Sequence, residues 1–450
     1  MSNLRRPANP HEHAGSTPAL RRRNPLKGKV GFPDFKPETA GGALSALFPA
    51  VADRRYYRPE VLHRRPEFPR IRPMSQEQAA NYSLLTTGDD AFAEALQTIH
   101  SAQHSLRFEM YIFEDSPIGR RIRDALIAAA QRGARVRVLI DAFGSITLLD
   151  SFWVPLRKAG GEMRWFNPLS MKRFGFRDHR KLIVSDDRVA IIGGFNVAAA
   201  YEGNGVSRGW RDLGMKVSSP LARELASSFD DMFARAEFRH KRFTQWRRQG
   251  AKRHLVGDSG ELSLSGPGRG RSPVKRALRN DLAYARNVQI IVAYFLPPLR
   301  LRRALMRVAR RGGRVQLILP GKSDIPSIRL AARSLYARLL RAGVEIYEYQ
   351  PQILHSKLVI IDDVVYVGSS NLDTRSLNIN YELLLRLPIP EITAEARKVF
   401  AEDLSRSQQI HRVTWRKSRT LWSRLRERWA YFFYAKLDPY VARRQWQGMQ

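Results

Sequence analysis

The sequence predicts an α/β protein: two tandem copies of one α/β sandwich unit, related by a pseudo-twofold axis, with the active site at their interface. Three observations predict it. A strand–helix–strand pattern occurs twice. The phrase Arg132-Gly133-Ala134-Arg135-Val136 returns as Arg311-Gly312-Gly313-Arg314-Val315, 179 residues later. Each copy then closes on the same polar pattern, written along a strand.

The elements follow from residue spacing. Ser105–Phe113 (SLRFEMYIF) alternates as a strand does. Pro117–Arg132 places Ile118, Ile122, Leu126 and Ala129 at helical spacing, and Gly133 ends it. Arg135–Asp141 is the next strand. In the second copy Val288–Phe295 is a strand, Leu301–Arg311 a helix and Arg314–Leu319 a strand. Such units cross over right-handed into a parallel or mixed sheet. A repeat this long is a duplicated domain, not a solenoid.

Domain organisation is expected in four parts. Residues 1–75 hold 11 of the 25 prolines, too many for helices or sheet ladders, and read as a flexible basic extension. Its apolar patch Ala43–Ala52 is short and holds Pro49. Residues 76–264 form the first unit and 265–404 the second, with Ser265–Ser272 (SGPGRGRS) as the linker. Residues 405–450 form a basic, aromatic C-terminal segment.

Composition removes several function classes. The chain has no cysteine, so disulfides, thiolate metal sites and cysteine nucleophiles are excluded. Its formal charge of +35 draws it to polyanions, either nucleic acid or an anionic membrane surface. The longest apolar run, near Val288–Leu299, is broken by Pro297 and Pro298 and falls short of the ~20 residues a membrane-spanning helix needs. No apolar signal-peptide core follows Arg5 and Arg6. A soluble or peripheral protein is expected.

The chemistry lies in the repeated polar pattern. The first copy reads His179-Arg180-Lys181, four residues, Asp186, then Gly193-Gly194-Phe195-Asn196. The second reads His355-Ser356-Lys357, four residues, Asp362, then Gly368-Ser369-Ser370-Asn371. In each, His and Lys share one face of a strand. A return strand then brings the asparagine alongside. One His-x-Lys alone carries no information; two copies 176 residues apart, each with its Gly-x-x-Asn, do.

These motifs resemble the phospholipase D superfamily, marked by paired HxKxxxxD motifs each trailed by Gly-Ser-x-Asn. The resemblance runs from about residue 82 to the end. Phrases such as FEMYIFEDSPIGRRIRDAL and GSSNLDTRSLNINYELLL resemble the bacterial cardiolipin synthases within it. Two departures stand out. Gly194 replaces the usual serine, removing a hydroxyl contact. Only five residues separate Asp362 from Gly368, against six in the first copy.

The resemblance implies His179, Lys181, Asp186, His355, Lys357 and Asp362 as the catalytic set. Lys181 and Lys357, with Asn196, Ser369 and Asn371, would bind the phosphate with fixed donors, so neither metal nor cofactor is expected. Imidazole suits both nucleophile and acid, and the residues alone do not assign the order. The resemblance implies His179 as nucleophile, giving a phosphohistidine, and His355 as acid, then base. Asp212 and Glu382 are placed to orient the histidines. Asp186 and Asp362, though part of the motif, read as braces of their turns. Glu109, Tyr111 and Tyr294 either line the pocket mouth or simply pack within their strands.

Two function classes fit. The first is a phosphatidyltransferase of cardiolipin synthase type, with phosphatidylglycerol as substrate, peripheral on the cytoplasmic face of the inner membrane. The second is a phospholipase D-type phosphodiesterase acting on nucleic acid or hydrolysing phospholipid. The C-terminal stretch favours the first. Trp415, Trp422, Leu425, Trp429, Phe432 and Phe433 recur at helical spacing beside Arg419, Arg424, Arg426 and Arg428, as in an interfacial helix, although a helix capping the core would share the pattern. A second basic stretch, Phe238–Arg253, carries Phe243 and Trp246 and would meet phosphates.

Overall fold

A computed structural model describes residues 79, 81–168, 175–236, 252–257, 260–268 and 270–447. Residues 1–75, and most of the basic stretch 238–253, lie outside the described residues.

The described chain runs β1 (Tyr82–Leu85), α1 (Gly88–His100), β2 (Ser105–Met110), α2 (Pro117–Gln131), β3 (Arg135–Asp141), α3 (Val154–Lys158), β4 (Glu162–Phe166), β5 (Leu182–Ser185), β6 (Val189–Gly193), β7 (Gly214–Val217) and α4 (Leu221–Ala234). Next come β8 (Arg253–Val256), β9 (Glu261–Ser265), α5 (Pro273–Tyr284), β10 (Asn287–Val292), β11 (Phe295–Leu296), α6 (Leu299–Arg310), β12 (Arg314–Pro320), α7 (Pro326–Arg341) and β13 (Glu345–Tyr349). Last are β14 (Lys357–Ile361), β15 (Val364–Gly368), β16 (Leu372–Asp373), α8 (Thr374–Asn378), β17 (Glu382–Leu387), α9 (Pro390–Ser405), β18 (Ser407–Gln409), α10 (Arg412–Lys417), α11 (Leu421–Phe432) and α12 (Asp438–Gln447).

Two mixed sheets carry the duplication. The first has strand order β1-β7-β6-β5-β2-β3-β4; the second has β18-β13-β12-β10-β14-β15-β17-β9-β8. In each, three parallel strands (β2-β3-β4 and β10-β12-β13) meet an antiparallel motif hairpin, β5-β6 or β14-β15. Residues 253–264, expected in the first unit, belong to the second sheet: β9 pairs with β17, as β1 pairs with β7. The Gly/Ser-rich stretch therefore follows this strand rather than separating two sheets.

The helices begin and end by local rules. Ser116 caps α2 by accepting from the Gly119 N–H, and Pro117 occupies the first turn. Gly133 and Gly312 adopt φ of 96° and 89° just past α2 and α6, which explains why that phrase recurs: both helices stop on a left-handed glycine. Helices α1 and α2 cover the outer face of the first sheet; α5, α6 and α7 cover that of the second. The inner faces share one core, in which Leu182, Val184 and Met215 of the first sheet join Leu358, Val367 and Leu385 of the second, with α4 and α9.

Two strands stop earlier than alternation predicts. β2 ends at Met110, where the Ile112 N–H turns to Asn196 Oδ1 (3.1 Å) and the Phe113 N–H to Ser145 Oγ (2.9 Å). β10 ends at Val292, and the Tyr294 N–H turns to Asn371 Oδ1 (3.3 Å). Each Gly-x-x-Asn thus catches the backbone where it leaves the sheet.

Candidate active site

The motif strands meet at the seam of the two halves through a crossed pair of bridges. Asp178 pairs with Tyr381, with the His179 N–H donating to the Tyr381 carbonyl (3.0 Å) and the Tyr381 N–H to the Arg177 carbonyl (3.0 Å). Arg211 pairs with Leu354 in the same way, and the His355 N–H donates to the Arg211 carbonyl (2.7 Å). The residue after each bridge is a carboxylate. Each histidine is therefore held by an acid from the opposite half: His179 Nδ1 lies 3.1 Å from Glu382, and His355 Nδ1 lies 2.6 Å from Asp212. Arg211, bound to Asp403 of α9 at 2.9 Å, anchors the second bridge. With Nδ1 engaged, Nε2 is the nitrogen each ring has left for chemistry.

Both lysines are buried beside the histidines. Lys181 Nζ donates to the His179 carbonyl (2.7 Å) and lies 5.0 Å from the Tyr111 ring centre. Lys357 lies 3.8 Å from Asp212. No described carboxylate is within ion-pair distance of Lys181. Burial, with Lys357 close by, lowers the Lys181 pKa to about 7. Burial lowers that of Lys357 too, against Asp212 and Glu382. His179 is pushed well below its ordinary range by burial, then by Lys181 and Lys357. His355 is lowered by burial and Lys357, while Asp212 pulls it back up. Burial raises Glu382 to about 8, against the pull of Lys181. A buried cation without a paired anion, as Lys181 is, favours an anionic ligand. Among the described residues no three His, Asp or Glu side chains gather as a metal site requires.

Several expected residues do other work. Asp186 and Asp362 sit beyond the far ends of β5 and β14, roughly 20 Å along the strands from the histidines at ~3.3 Å per residue. Asp186 accepts from the N–H groups of Gln103, His104 and Ser105, and Asp362 from those of Arg286 and Asn287. They tie the motif hairpin to the start of β2 or β10, and are not part of the catalytic set. Asn196 holds the fold as well: its carbonyl oxygen accepts from Ile112, and its amide donates one N–H to the Tyr201 hydroxyl (2.7 Å). Asn371 holds Tyr294 through its carbonyl oxygen. Ser369 donates to Glu382 and accepts from the Leu383 N–H, so it orients the acid rather than the phosphate.

Gly194 has a steric reason. A Cβ there would stand 2.0 Å from Asp212 Oδ1. The first half thus gives Asp212 the space that Ser369 fills beside Glu382. Glu109 is not at the mouth: it is fully buried behind the His179 strand, 3.0 Å from Arg180. Alternation puts Asp178 and Arg180 on that rear face and Arg177, His179 and Lys181 on the front. Tyr111 and Tyr294 do flank the site, their rings 4.8 Å from His179 and 6.2 Å from His355. Sequence reading missed Tyr201 and Trp210, whose rings lie 5.5 Å and 5.8 Å from His355. Trp210 adjoins the orienting Asp212 and was open to inference; Tyr201 carried no signal.

Duplicated α/β halves that share one pair of histidines and one pair of lysines define a phospholipase D-type centre. The family described as "Cardiolipin synthase, PLD-like domain" matches residues 95–236 and 278–404. Cardiolipin synthase 1 of Bacillus cereus is 31% identical over 340 residues, covering 73% of this chain and 67% of its own. Cardiolipin synthase B of Escherichia coli K12 is 33% identical over 321 residues, covering 68% of this chain and 76% of its own. The crystal structure of phosphatidylserine synthase from Haemophilus influenzae aligns with a TM-score of 0.64 at 16% identity, over 81% of this chain and 95% of that one, a likeness of fold. The chain belongs to the phospholipase D-like cardiolipin synthase family.

Proposed function

We propose that the chain is a cardiolipin synthase, moving a phosphatidyl group from one phosphatidylglycerol to another and releasing glycerol. The observation that carries this reading is the crossed arrangement of His179–Glu382 and His355–Asp212 around two buried lysines. His179 Nε2 attacks phosphorus, and the glycerol oxygen leaves with the proton of His355 Nε2. A second phosphatidylglycerol then gives its hydroxyl proton to His355. Its oxygen attacks the phosphohistidine, and His179 departs neutral. The order is the one the family resemblance implies: burial, then both lysines, lowers His179 and favours its neutral form, and burial and Lys357 lower His355 too, with Asp212 opposing that shift in favour of the protonated acid. Lys181 and Lys357, with the amide of Asn371, carry the phosphoryl oxygens.

The partner surface is an anionic bilayer. No described helix is long and apolar enough to cross a membrane. The C-terminal helices divide into two faces. Trp415 is buried against Tyr336 of α7 (5.0 Å), and Arg419 stacks on Trp415 (4.4 Å) and pairs with Glu427. Trp422 and Trp429 of α11, by contrast, are 74% and 65% exposed, with Phe432, Phe433 and Tyr440 beside them. The segment caps the core with one face and offers an aromatic, arginine-bordered face outward, which suits a peripheral enzyme on the cytoplasmic leaflet.

The test is purified protein on phosphatidylglycerol vesicles, with single-stranded and duplex DNA in parallel. Cardiolipin and glycerol formed in equal amounts are expected. DNA cleavage with no lipid product would overturn the reading.

A further inference from the structure

The two halves break their symmetry around the histidines. On the His179 side the wall is cationic: Arg177 lies over the Phe143 ring at 3.7 Å, and Arg375 donates to Asp438 (2.6 Å) and to the Gly175 carbonyl (2.7 Å). On the His355 side it is aromatic and anionic. Tyr294, edge-on to the His355 ring at 6.2 Å, donates its hydroxyl to Asp324. Asp324 stands four residues past the end of β12, in the loop before α7. The same offset past β3 is Ser145, a buried hydroxyl that bonds the Tyr111 carbonyl and the Phe113 N–H. Asp324 therefore has no twin. It is half-exposed, with Ser323 Oγ 3.3 Å from Oδ1. Its charge reaches His355, Lys357 and Tyr201.

In-line displacement at phosphorus places the leaving or attacking oxygen opposite the nucleophile. With His179 as nucleophile, that oxygen and the alcohol it belongs to lie on the His355 side, under Tyr294 and Asp324. A carboxylate there accepts hydrogen bonds from hydroxyl groups. We propose that Asp324, oriented by Tyr294, reads the alcohol part of the headgroup by accepting a hydrogen bond from a free hydroxyl of the glycerol that leaves from, or attacks, the phosphorus. This inference rests on the phosphatidyltransferase reading. It adds the specificity determinant: the site selects a polyol headgroup because Asp324 rewards a hydroxyl beyond the reacting one.

The experiment measures kcat/KM for phosphatidylglycerol and for phosphatidylpropanol, which lacks the free hydroxyls, in the same mixed micelles. Wild type and Asp324→Asn are compared, with phosphatidylethanolamine as a third donor. A hydrogen bond to a charged group is worth enough to predict a roughly ten- to hundredfold larger loss on phosphatidylglycerol than on phosphatidylpropanol. Asp324→Glu should restore part of that preference. The readout is a ratio within one preparation, so a smaller folded fraction does not alter it. Equal losses on both donors would mean that Asp324 only supports Tyr294 and would overturn the proposal; Tyr294→Phe would then show the same uniform loss. A larger loss on phosphatidylethanolamine than on phosphatidylglycerol would assign the pocket to an ammonium group instead and also overturn it. Failure of the wild type to release any alcohol from these donors would count against the function itself, a distinct result.

Discussion

Asp212, in the first half of the chain, hydrogen-bonds His355 in the second at 2.6 Å, and neither half holds its own histidine. Glu382 completes the exchange at His179. A half that folded alone would present a histidine free to choose its tautomer and an acid with nothing to orient. The duplication is therefore one catalytic unit.

The crossing predicts unequal phenotypes for the two acids. Asp212→Asn removes the group that supports protonated His355, so the alkaline limb of the kcat/KM profile should move to lower pH. The rate should fall roughly 10- to 100-fold, as for residues that orient catalytic groups through a second shell. Glu382→Gln should cost a similar factor by releasing the His179 tautomer. pH–rate profiles of the two variants check this.

Lys181, lowered to about 7, and Glu382, raised to about 8, titrate in the same range, each opposing the other's shift. The form that binds phosphate carries a proton on Lys181 and none on Glu382. Above about pH 8 that proton is lost and the clamp loses its charge. Affinity for a short-chain soluble phosphodiester should therefore fall about tenfold per pH unit on the alkaline side. Arg stays charged, so Lys181→Arg should flatten this limb whatever it does to the rate. Binding measured across pH 6–10 in both proteins is the check.

Gly194 predicts a steric lesion with an unusual asymmetry. Gly194→Ser restores the residue found at position 369, yet its Cβ falls on Asp212. Activity should drop roughly 10- to 100-fold, again the cost of disturbing an orienting acid. Ser369→Gly should be milder, because Glu382 keeps His179 and loses only one donor. Steady-state rates of both variants decide it.

The C-terminal face predicts membrane attachment without folding penalties. Deleting the segment would strip α11 from α7 and expose Trp415, so point changes are the better probe. Trp422→Ser with Trp429→Ser should weaken binding to anionic vesicles several-fold while sparing cleavage of a short-chain soluble diester. Arg424, Arg426 and Arg428 are exposed and contribute about 1 kcal/mol each near an anionic surface. Arg419 is paired within the fold and should not be used for this. Sedimentation with vesicles at rising salt measures both terms, since screening shortens the reach of the charges.

Much of this was legible in the chain. The repeat, its helix stops and both motifs follow from spacing, and the orienting acids follow from their matching positions after each motif. Which acid serves which histidine was not legible. The crossing arises from backbone bridges between segments 203 and 143 residues apart, which no local pattern encodes. Motif membership misled in the same way. Asp186 and Asn196 recur because the hairpin geometry recurs, and both hold backbone N–H groups; Ser369, which has no counterpart in the first copy, holds an acid. Whether Glu109 lined the pocket or packed inside was not legible either, because a strand buried on both faces gives alternation no solvent side.

The central claim is a double displacement through His179. Incubating the protein with a phosphatidyl donor and no acceptor lipid, quenching in base, which spares phosphohistidine, and mapping the adduct by mass spectrometry tests it directly. The account predicts a phosphatidyl adduct on the peptide carrying His179, removed when acceptor phosphatidylglycerol is added and absent from His179→Asn. An adduct on His355 with none on His179 would contradict it.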